Sequence, residues 1–348
     1  MRIVEIDPWT DSRWDAFVAG QPDALVFHHP AWLRALIAAY GYEPAVLGCE
    51  DDTGDITGVL PLVRKRGWVT GRRLVSLPHT PLAGPLAADQ AIRRMLAAAA
   101  LERAGHGVRV ELKTPTGQPL DGLAAVPWSS TYVLRLPADP AALRFGTSRN
   151  HRRIRWAVNK AEKQGVQLRV ATGEGDLRAW HQLYLETMRA HAMPPRPYRF
   201  FCALWDSLRP AGLLRLLLAE QRGRLVAGSM FLMFGSTVFY AFNGRRPEDL
   251  GLRPNDVLQW RALHDACAAG FLRYDFGEVE AQQRGLAEFK AKWGAEPVTL
   301  YRHVHPPRPS SGNGSRVPTR PRAWAQAAWR RLPLAATARI GDVVYGRL

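Results

Sequence analysis

Leu225-Val226-Ala227-Gly228-Ser229-Met230-Phe231-Leu232-Met233-Phe234-Gly235-Ser236-Thr237-Val238-Phe239-Tyr240-Ala241-Phe242-Asn243 is the stretch on which the fold turns, because it admits two incompatible readings. No residue in it carries a charge, and it is as long as the roughly 18 apolar or small residues that announce a membrane-spanning helix. Its interior argues the other way. Gly235-Ser236 sits between Met230–Phe234 and Thr237–Phe242, two runs rich in aromatic and β-branched side chains. Two such runs about a glycine turn form a buried hairpin rather than a span.

Working outward, a strand is expected over Leu213–Glu220 before the hairpin. After it, the loop Gly244–Arg253 enters a helix from Pro254 to Ala269, where proline suits the first helical position. A strand at Phe271–Phe276, a short helix at Leu286–Trp293 and a strand at Pro297–Tyr301 follow. Upstream lie a strand at Leu168–Ala171, a helix from Asp176 to about Met193, the link Pro194-Pro195-Arg196-Pro197 and a helix from Tyr198 to Leu208. A basic helix precedes these, capped by Thr147 or Ser148, ended by Gly165 and carrying the apolar stripe Ile154, Ala157, Val158 and Ala161.

The first third also alternates α and β. It offers a helix over Pro30–Tyr40, strands at Ala45–Cys49 and Ile56–Val63 about an acidic turn, a helix over Ala88–Arg103 stopped by Gly105, and strands at Val108–Leu112 and Tyr132–Leu136. At 348 residues the chain has room for about two domains. The expected division is 1–140 and 141–303, a Pro/Ser/Arg-rich linker over 304–322, and a basic amphipathic tail over 323–348 with Trp324, Trp329, Ile340 and Val343 among arginines. The fold class expected is α/β with mixed, largely antiparallel sheets.

Forty-seven basic against 31 acidic residues leave a net charge of +16, which favours polyanionic partners. Nine arginines and one acid from Arg302 onward place about half of that excess in the C-terminal segment, so an anionic membrane surface is one expected partner of the tail. Acidic residues in Met1–Asp7 argue against a signal peptide, and three scattered cysteines suit a reducing compartment. A cytoplasmic protein, peripheral at the inner membrane face, is therefore expected. There is no His-Glu-x-x-His, no paired Cys-x-x-Cys, no Gly-x-Ser-x-Gly and no P-loop, so no metal site is expected and simple hydrolase, kinase and dehydrogenase readings lose ground.

The element order from Val166 resembles the GNAT acyltransferase fold. Three segments sharpen this: Glu186 to Tyr198, Tyr274-Asp275-Phe276-Gly277-Glu278, and Glu288-Phe289-Lys290-Ala291-Lys292-Trp293-Gly294. With Phe27-His28-His29-Pro30-Ala31-Trp32 near the N-terminus, they resemble the Fem family of peptidyl (aminoacyl) transferases and the related GNAT-like proteins of polysaccharide loci. The resemblance implies tandem GNAT-like domains, with an acceptor bound in a cleft. It implies transfer from aminoacyl-tRNA to an amine of a cell-envelope precursor, peptidoglycan or polysaccharide, with no resident cofactor. By resemblance Arg196 of the Arg-Pro-Tyr element, with Tyr198, binds an acceptor phosphate, and Phe289 and Lys290 stand at the reaction centre. Asn255 and Arg152 join the expected substrate-binding set. Leu36 departs from the lysine that members acting on nucleotide-linked muropeptides carry four residues after the opening tryptophan, here Trp32.

Chemistry alone supports part of this. Acyl transfer to an amine passes through a tetrahedral oxyanion, which a lysine in a dry cleft stabilises by about 3 kcal/mol. Asp275 or Glu278, at a strand end, would accept the proton of the attacking ammonium; the plain reading of Asp275 is a carboxylate bonded to loop amides. Lys292 reads as a solvated helix lysine. The basic helix, with Arg149, Arg152, Arg153, Arg155, Lys160 and Lys163 against Glu162, reads either as a solvated face or as a track for phosphates. Acyl-CoA is the rival donor. The loop Gly244–Gly251 lacks the Gln/Arg-x-x-Gly-x-Gly/Ala pyrophosphate motif of GNAT enzymes, and Gln282-Gln283-Arg284-Gly285-Leu286-Ala287 has the letters in the wrong place. An acyl-CoA-dependent N-acyltransferase of envelope sugars and a non-catalytic adaptor in polysaccharide assembly are the alternatives.

Overall fold

A computed structural model describes residues 1–67, 71–280, 283–307 and 323–347. The chain divides between Thr131 and Tyr132 and again between Pro297 and Val298 into two units. In chain order the first holds β1 (Arg2–Glu5), α1 (Ser12–Gly20), α2 (Pro30–Tyr40), β2 (Glu43–Pro44), β3 (Leu47–Glu50), β4 (Ile56–Leu60), β5 (Val63–Gly67), β6 (Gly71–Val75), β7 (Leu86–Ala87), α3 (Gln90–Ala104) and β8 (Arg109–Thr114). Strand β9 (Ala124–Arg135) runs through the first boundary. The second unit holds α4 (Ser148–Lys163), β10 (Val166–Val170), α5 (Glu174–Ala190), α6 (Tyr198–Leu208), β11 (Leu214–Gln221), β12 (Arg224–Phe234), β13 (Thr237–Arg245), α7 (Pro254–Ala268), β14 (Arg273–Val279) and α8 (Arg284–Lys292). Strand β15 (Glu296–His305) crosses the second boundary, and α9 (Ala323–Arg331) and α10 (Leu334–Arg347) return to the second unit.

In the first unit β1, β3, β4 and β7 form an antiparallel sheet. A second run of strands has the order β15-β8-β6-β5-β2, parallel at β6–β8. Helix α3 buries Ile92, Leu96, Ala97 and Ala100 with Leu47, Leu60, Leu74, Val110 and Leu112. The strand expected over Ile56–Val63 is two strands. Pro61 has no N–H to give a ladder, and after it the chain leaves β4 for β5 in the other run. Residues 301–305 of β15 pair with β8, which is why the end of the expected second domain belongs with the first unit.

The second unit is where the uncharged stretch resolves. Strands β12 and β13 pair antiparallel about Gly235-Ser236 as expected, with a bulge between Met230 and Phe231. The strand order is β10-β11-β12-β13-β14, antiparallel until β13–β14, which is parallel. That last ladder holds three pairs, Thr237–Arg273, Val238–Tyr274 and Phe239–Asp275. Helix α4 presents its predicted stripe, capped by Thr147 whose Oγ1 accepts the Asn150 N–H at 3.2 Å. Ile154, Val158 and Ala161 of the stripe join Leu258 and Leu263 of α7 with Phe231, Val238, Phe276 and Trp293 in one core. Side chains of this size contribute about 1.5–3 kcal/mol each on burial.

Residues 323–347 form two helices rather than one amphipathic segment. Pro333 separates α9 from α10, and Gly341 lies inside α10. Both helices pack on the second unit. The Arg189 guanidinium donates to the Leu332 carbonyl at 3.3 Å, Arg330 to the Ala190 carbonyl at 3.1 Å, and Arg199 pairs with Asp342 at 2.9 Å. The expected linker falls largely outside the described residues, as does Gln282. Among the described residues no helix is long and apolar enough to cross a membrane.

Candidate functional site

The site begins where β14 leaves its three-pair ladder. Asp275 is buried, and its Oδ1 accepts the Gly277 N–H at 2.7 Å, closing a tight turn inside the strand. Gly277 takes φ +80°, a left-handed conformation that favours glycine, and a Cβ there would stand 3.2 Å from the Tyr240 carbonyl oxygen. The turn aims the carbonyls of Gly277 and Glu278 at α8, and Lys290 fills the space, 3% exposed. Its Nζ donates to those carbonyls at 2.8 and 3.0 Å. Burial pushes the amine down to about 8, against the opposing pull of the Asp275 and Glu278 carboxylates. Lys290, Asp275 and Glu278, singled out separately in the sequence, thus form one cluster.

Phe289 is half-buried on the same helix and faces Trp293, with ring centroids 6.5 Å apart. Lys292 corrects the sequence reading. It is not a solvated lysine: its Nζ pairs with Asp256 of α7 at 2.7 Å, tying α8 to the start of α7, and lies 5.0 Å from the Phe289 ring. Asn255, in the first turn of α7, accepts at 3.2 Å from Asn243 Nδ2, which also reaches Ser229 Oγ at 3.1 Å. Tyr240 bonds to Ser229 and Gln259, while burial pushes its hydroxyl up to about 12. Gln259 in turn accepts from the Tyr274 hydroxyl. Sequence reasoning found Asn255 alone in this network; Ser229, Tyr240, Asn243, Gln259 and Tyr274 were missed.

Arg196 and Tyr198 lie in a different cluster. The Arg196 guanidinium carbon is 5.1, 5.6 and 5.2 Å from the ring centroids of Phe200, Phe242 and Tyr345, so α6, β13 and α10 all contribute to its surroundings. Its backbone N–H donates to the Tyr184 hydroxyl at 3.2 Å. The Tyr198 ring sits 4.9 Å from His181, and burial pushes its hydroxyl up to about 12. Arg152 is exposed on α4. Along that helix Arg149, Arg152, Trp156, Lys160 and Lys163 recur every three or four residues and so share one face. Trp156 is 55% exposed, with Lys160 and Arg253 at 5.5 and 5.6 Å from its ring. Among the described residues none of the six α4 cations has an acidic partner. Nor does any group of three or more His, Cys, Asp and Glu side chains there offer a metal site.

Antiparallel strands closed by a short parallel pair, with helices packed on them, make a GNAT-like sheet. The family model for the acetyltransferase (GNAT) domain matches residues 148–291, and the chain is an acyltransferase of GNAT-like fold. The structure is similar to that of FemX, with 16% identity and a TM-score of 0.67 over 87% of this chain and 97% of FemX. It is also similar to the C-terminal DUF2156 domain of a putative lysylphosphatidylglycerol synthetase from Agrobacterium fabrum (15% identity, TM-score 0.55, 91% of this chain and 93% of that one). A third likeness is L-PGS from Bacillus licheniformis (11% identity, TM-score 0.53, 81% and 92%). At these identities the likenesses show the fold. A comparison with curated proteins finds no match.

Proposed function

We propose that the protein joins an acyl or aminoacyl group to an amine of a cell-envelope precursor, forming an amide. The observation that carries this is Lys290, buried and held by two carbonyls with Glu278 beside it. In the reaction the acceptor nitrogen, having given a proton to Glu278, attacks the donor carbonyl. The ammonium of Lys290 stabilises the oxyanion, the C–N bond forms, and the donor's C–O or C–S bond breaks as its leaving atom takes the proton that the attacking nitrogen sheds. Asp275, whose Oδ1 already accepts the Gly277 N–H, positions that turn rather than moving a proton.

For the donor we favour aminoacyl-tRNA over acyl-CoA. The α4 cations and the exposed Trp156 between Lys160 and Arg253 suit phosphates and a stacked base. For the acceptor, the resemblance points Arg196 and Tyr198 at a phosphate. Leu36 is fully buried and offers no cation where the family's muropeptide-binding members carry a lysine, so a nucleotide-linked muropeptide is disfavoured. Contact of the C-terminal helices with an anionic membrane belongs to the same proposal, supported by exposed Trp324 and Val343. Deletion of residues 323–348 tests it, through loss of sedimentation with anionic liposomes.

The deciding measurement is equilibrium binding of charged tRNA, uncharged tRNA and acyl-CoA over a salt series, because any protein this basic binds RNA at low salt. A preference for charged tRNA that survives physiological salt is expected. Tight acyl-CoA binding with only salt-labile RNA binding overturns the donor assignment. Binding of neither overturns transfer and leaves the adaptor reading.

A further inference from the structure

Helix α10 reads Leu334-Ala335-Ala336-Thr337-Ala338-Arg339-Ile340-Gly341-Asp342-Val343-Val344-Tyr345-Gly346-Arg347. Residues four apart share a helix face, and Thr337, Gly341 and Tyr345 make up the face turned to the second unit. Gly341 permits a close approach to the Pro194-Pro195-Arg196-Pro197 link, because a Cβ there would collide with the Pro195 carbonyl oxygen. Beside it Asp342 pairs with Arg199 at 2.9 Å. One turn on, the Tyr345 ring lies 5.2 Å over the Arg196 guanidinium, joining Phe200 and Phe242 around that cation. The bulky apolar residues go elsewhere. Ala336, Ile340, Val343 and Val344 fall at the spacing of an apolar helix stripe, yet Ile340 and Val343 are exposed and Ala336 and Val344 half-buried. The helix thus sets a threonine, a glycine and a tyrosine against the unit and turns β-branched side chains toward solvent.

What holds α10 in place is of small worth. The Arg199–Asp342 pair is half-exposed on both sides, and such pairs contribute little. Among its described side chains no large apolar one is buried. What it covers is the cation on which the acceptor reading depends. We propose that α10 is a removable cover on Arg196, closing the Arg-Pro-Tyr element until an anionic lipid surface draws the helix away. This rests on the reading of Arg196 as the residue that binds an acceptor phosphate. A ring over a guanidinium attracts the same charge that a phosphate would take. While α10 is docked the phosphate is shut out, so the apparent affinity falls with the fraction of open molecules. A lipid surface favours the open state because the docked helix presents only part of its apolar stripe. Undocked, it lays Val344 beside Ile340 and Val343 in the interface, with Arg331 and Arg339 toward the headgroups and Trp324 of α9 as an anchor.

The test uses the full-length protein at physiological salt. Inorganic pyrophosphate is titrated calorimetrically into the parent and Gly341→Leu, each with and without Arg196→Gln. Gly341→Leu should bind roughly tenfold more tightly than the parent, and Arg196→Gln should remove that gain. Asp342→Lys, which sets like charges together at Arg199 without crowding the helix, should shift binding in the same direction and serves if Gly341→Leu folds poorly. Equal affinity in the parent and both opened variants, weakened throughout by Arg196→Gln, keeps Arg196 as an anion site and overturns the cover. Affinity indifferent to Arg196→Gln in every background overturns the reading of Arg196, and the proposal with it. Release is read in Arg199→Lys, where a carbodiimide can join position 199 to Asp342 as an amide only while α10 is docked. Phosphatidylcholine vesicles containing phosphatidylglycerol should lower that crosslink several-fold, and phosphatidylcholine alone should leave it unchanged. A crosslink indifferent to phosphatidylglycerol overturns release by an anionic surface.

Discussion

Lys290→Met replaces the buried ammonium by a side chain of similar length with neither charge nor donors. The amine falls from an ordinary 10.5 to about 8. At about 1.36 kcal/mol per pKa unit, its charged form therefore weighs on the native state by about 3 kcal/mol. Methionine removes that penalty and also two hydrogen bonds, each worth about 1 kcal/mol net, so stability at pH 7 should change by no more than about 1–2 kcal/mol. The pH dependence is more telling. Below pH 8 both folded and unfolded chains carry the proton. Between about 8 and 10.5 the folded amine has released it while the unfolded chain keeps it, so the unfolded state binds more protons and stability rises with pH. Above 10.5 both are neutral and the penalty is gone. Urea unfolding of parent and variant, followed by tryptophan fluorescence between pH 7 and 10.5, should show the parent gaining about 3 kcal/mol more than the variant. A gap that stays constant over that range would refute the argument from burial. Transfer activity of the variant should fall about a hundredfold, near 3 kcal/mol of lost oxyanion stabilisation.

Three further outcomes are expected. Glu278→Gln should depress the rate with little change in acceptor KM, whereas Asp275→Asn should act through stability; equal rate losses in two well-folded variants would contradict that division of labour. Asp176 accepts from Arg169 at 2.9 and 2.7 Å and from the Thr172 N–H at 2.8 Å, and its carboxyl is pulled down to about 2, chiefly by Arg169. Its contribution is present above the ordinary carboxyl range and lost as pH falls through about 2; Asp176→Asn should cost about 1 kcal/mol at pH 7 after solvent screening, read by urea unfolding. A Cβ on Gly341 would collide with the Pro195 carbonyl oxygen, so Gly341→Leu should undock α10. Limited proteolysis should then clip the C-terminal helices while the rest of the unit stays resistant.

Much of the second unit is legible because its punctuation is local. Gly235-Ser236 marks the hairpin turn, Pro254 opens α7, and α6 runs over the expected Tyr198–Leu208. The polar network at Ser229, Asn243 and Asn255 is not legible, and the bulge at Met230/Phe231 says why. A regular hairpin about that turn would set Ser229 opposite Phe242; the extra residue shifts the register by one and brings Asn243 across from it instead. Lys290 and Asp275 were found because their segments resemble a family pattern, but that the Lys290 amine meets backbone carbonyls depends on Gly277 turning left-handed.

The tether on Lys290 also fixes where its proton comes and goes. An ammonium has three hydrogens, and two point at the Gly277 and Glu278 carbonyls. When the third proton leaves, the neutral amine still has two hydrogens for the same two acceptors, and its lone pair occupies the vertex the proton vacated. Gain and loss of the proton thus occur at one place, with no rotation of the side chain and no rearrangement of the peptide groups around it. Titration near pH 8 therefore changes the charge at that place and not the geometry around it.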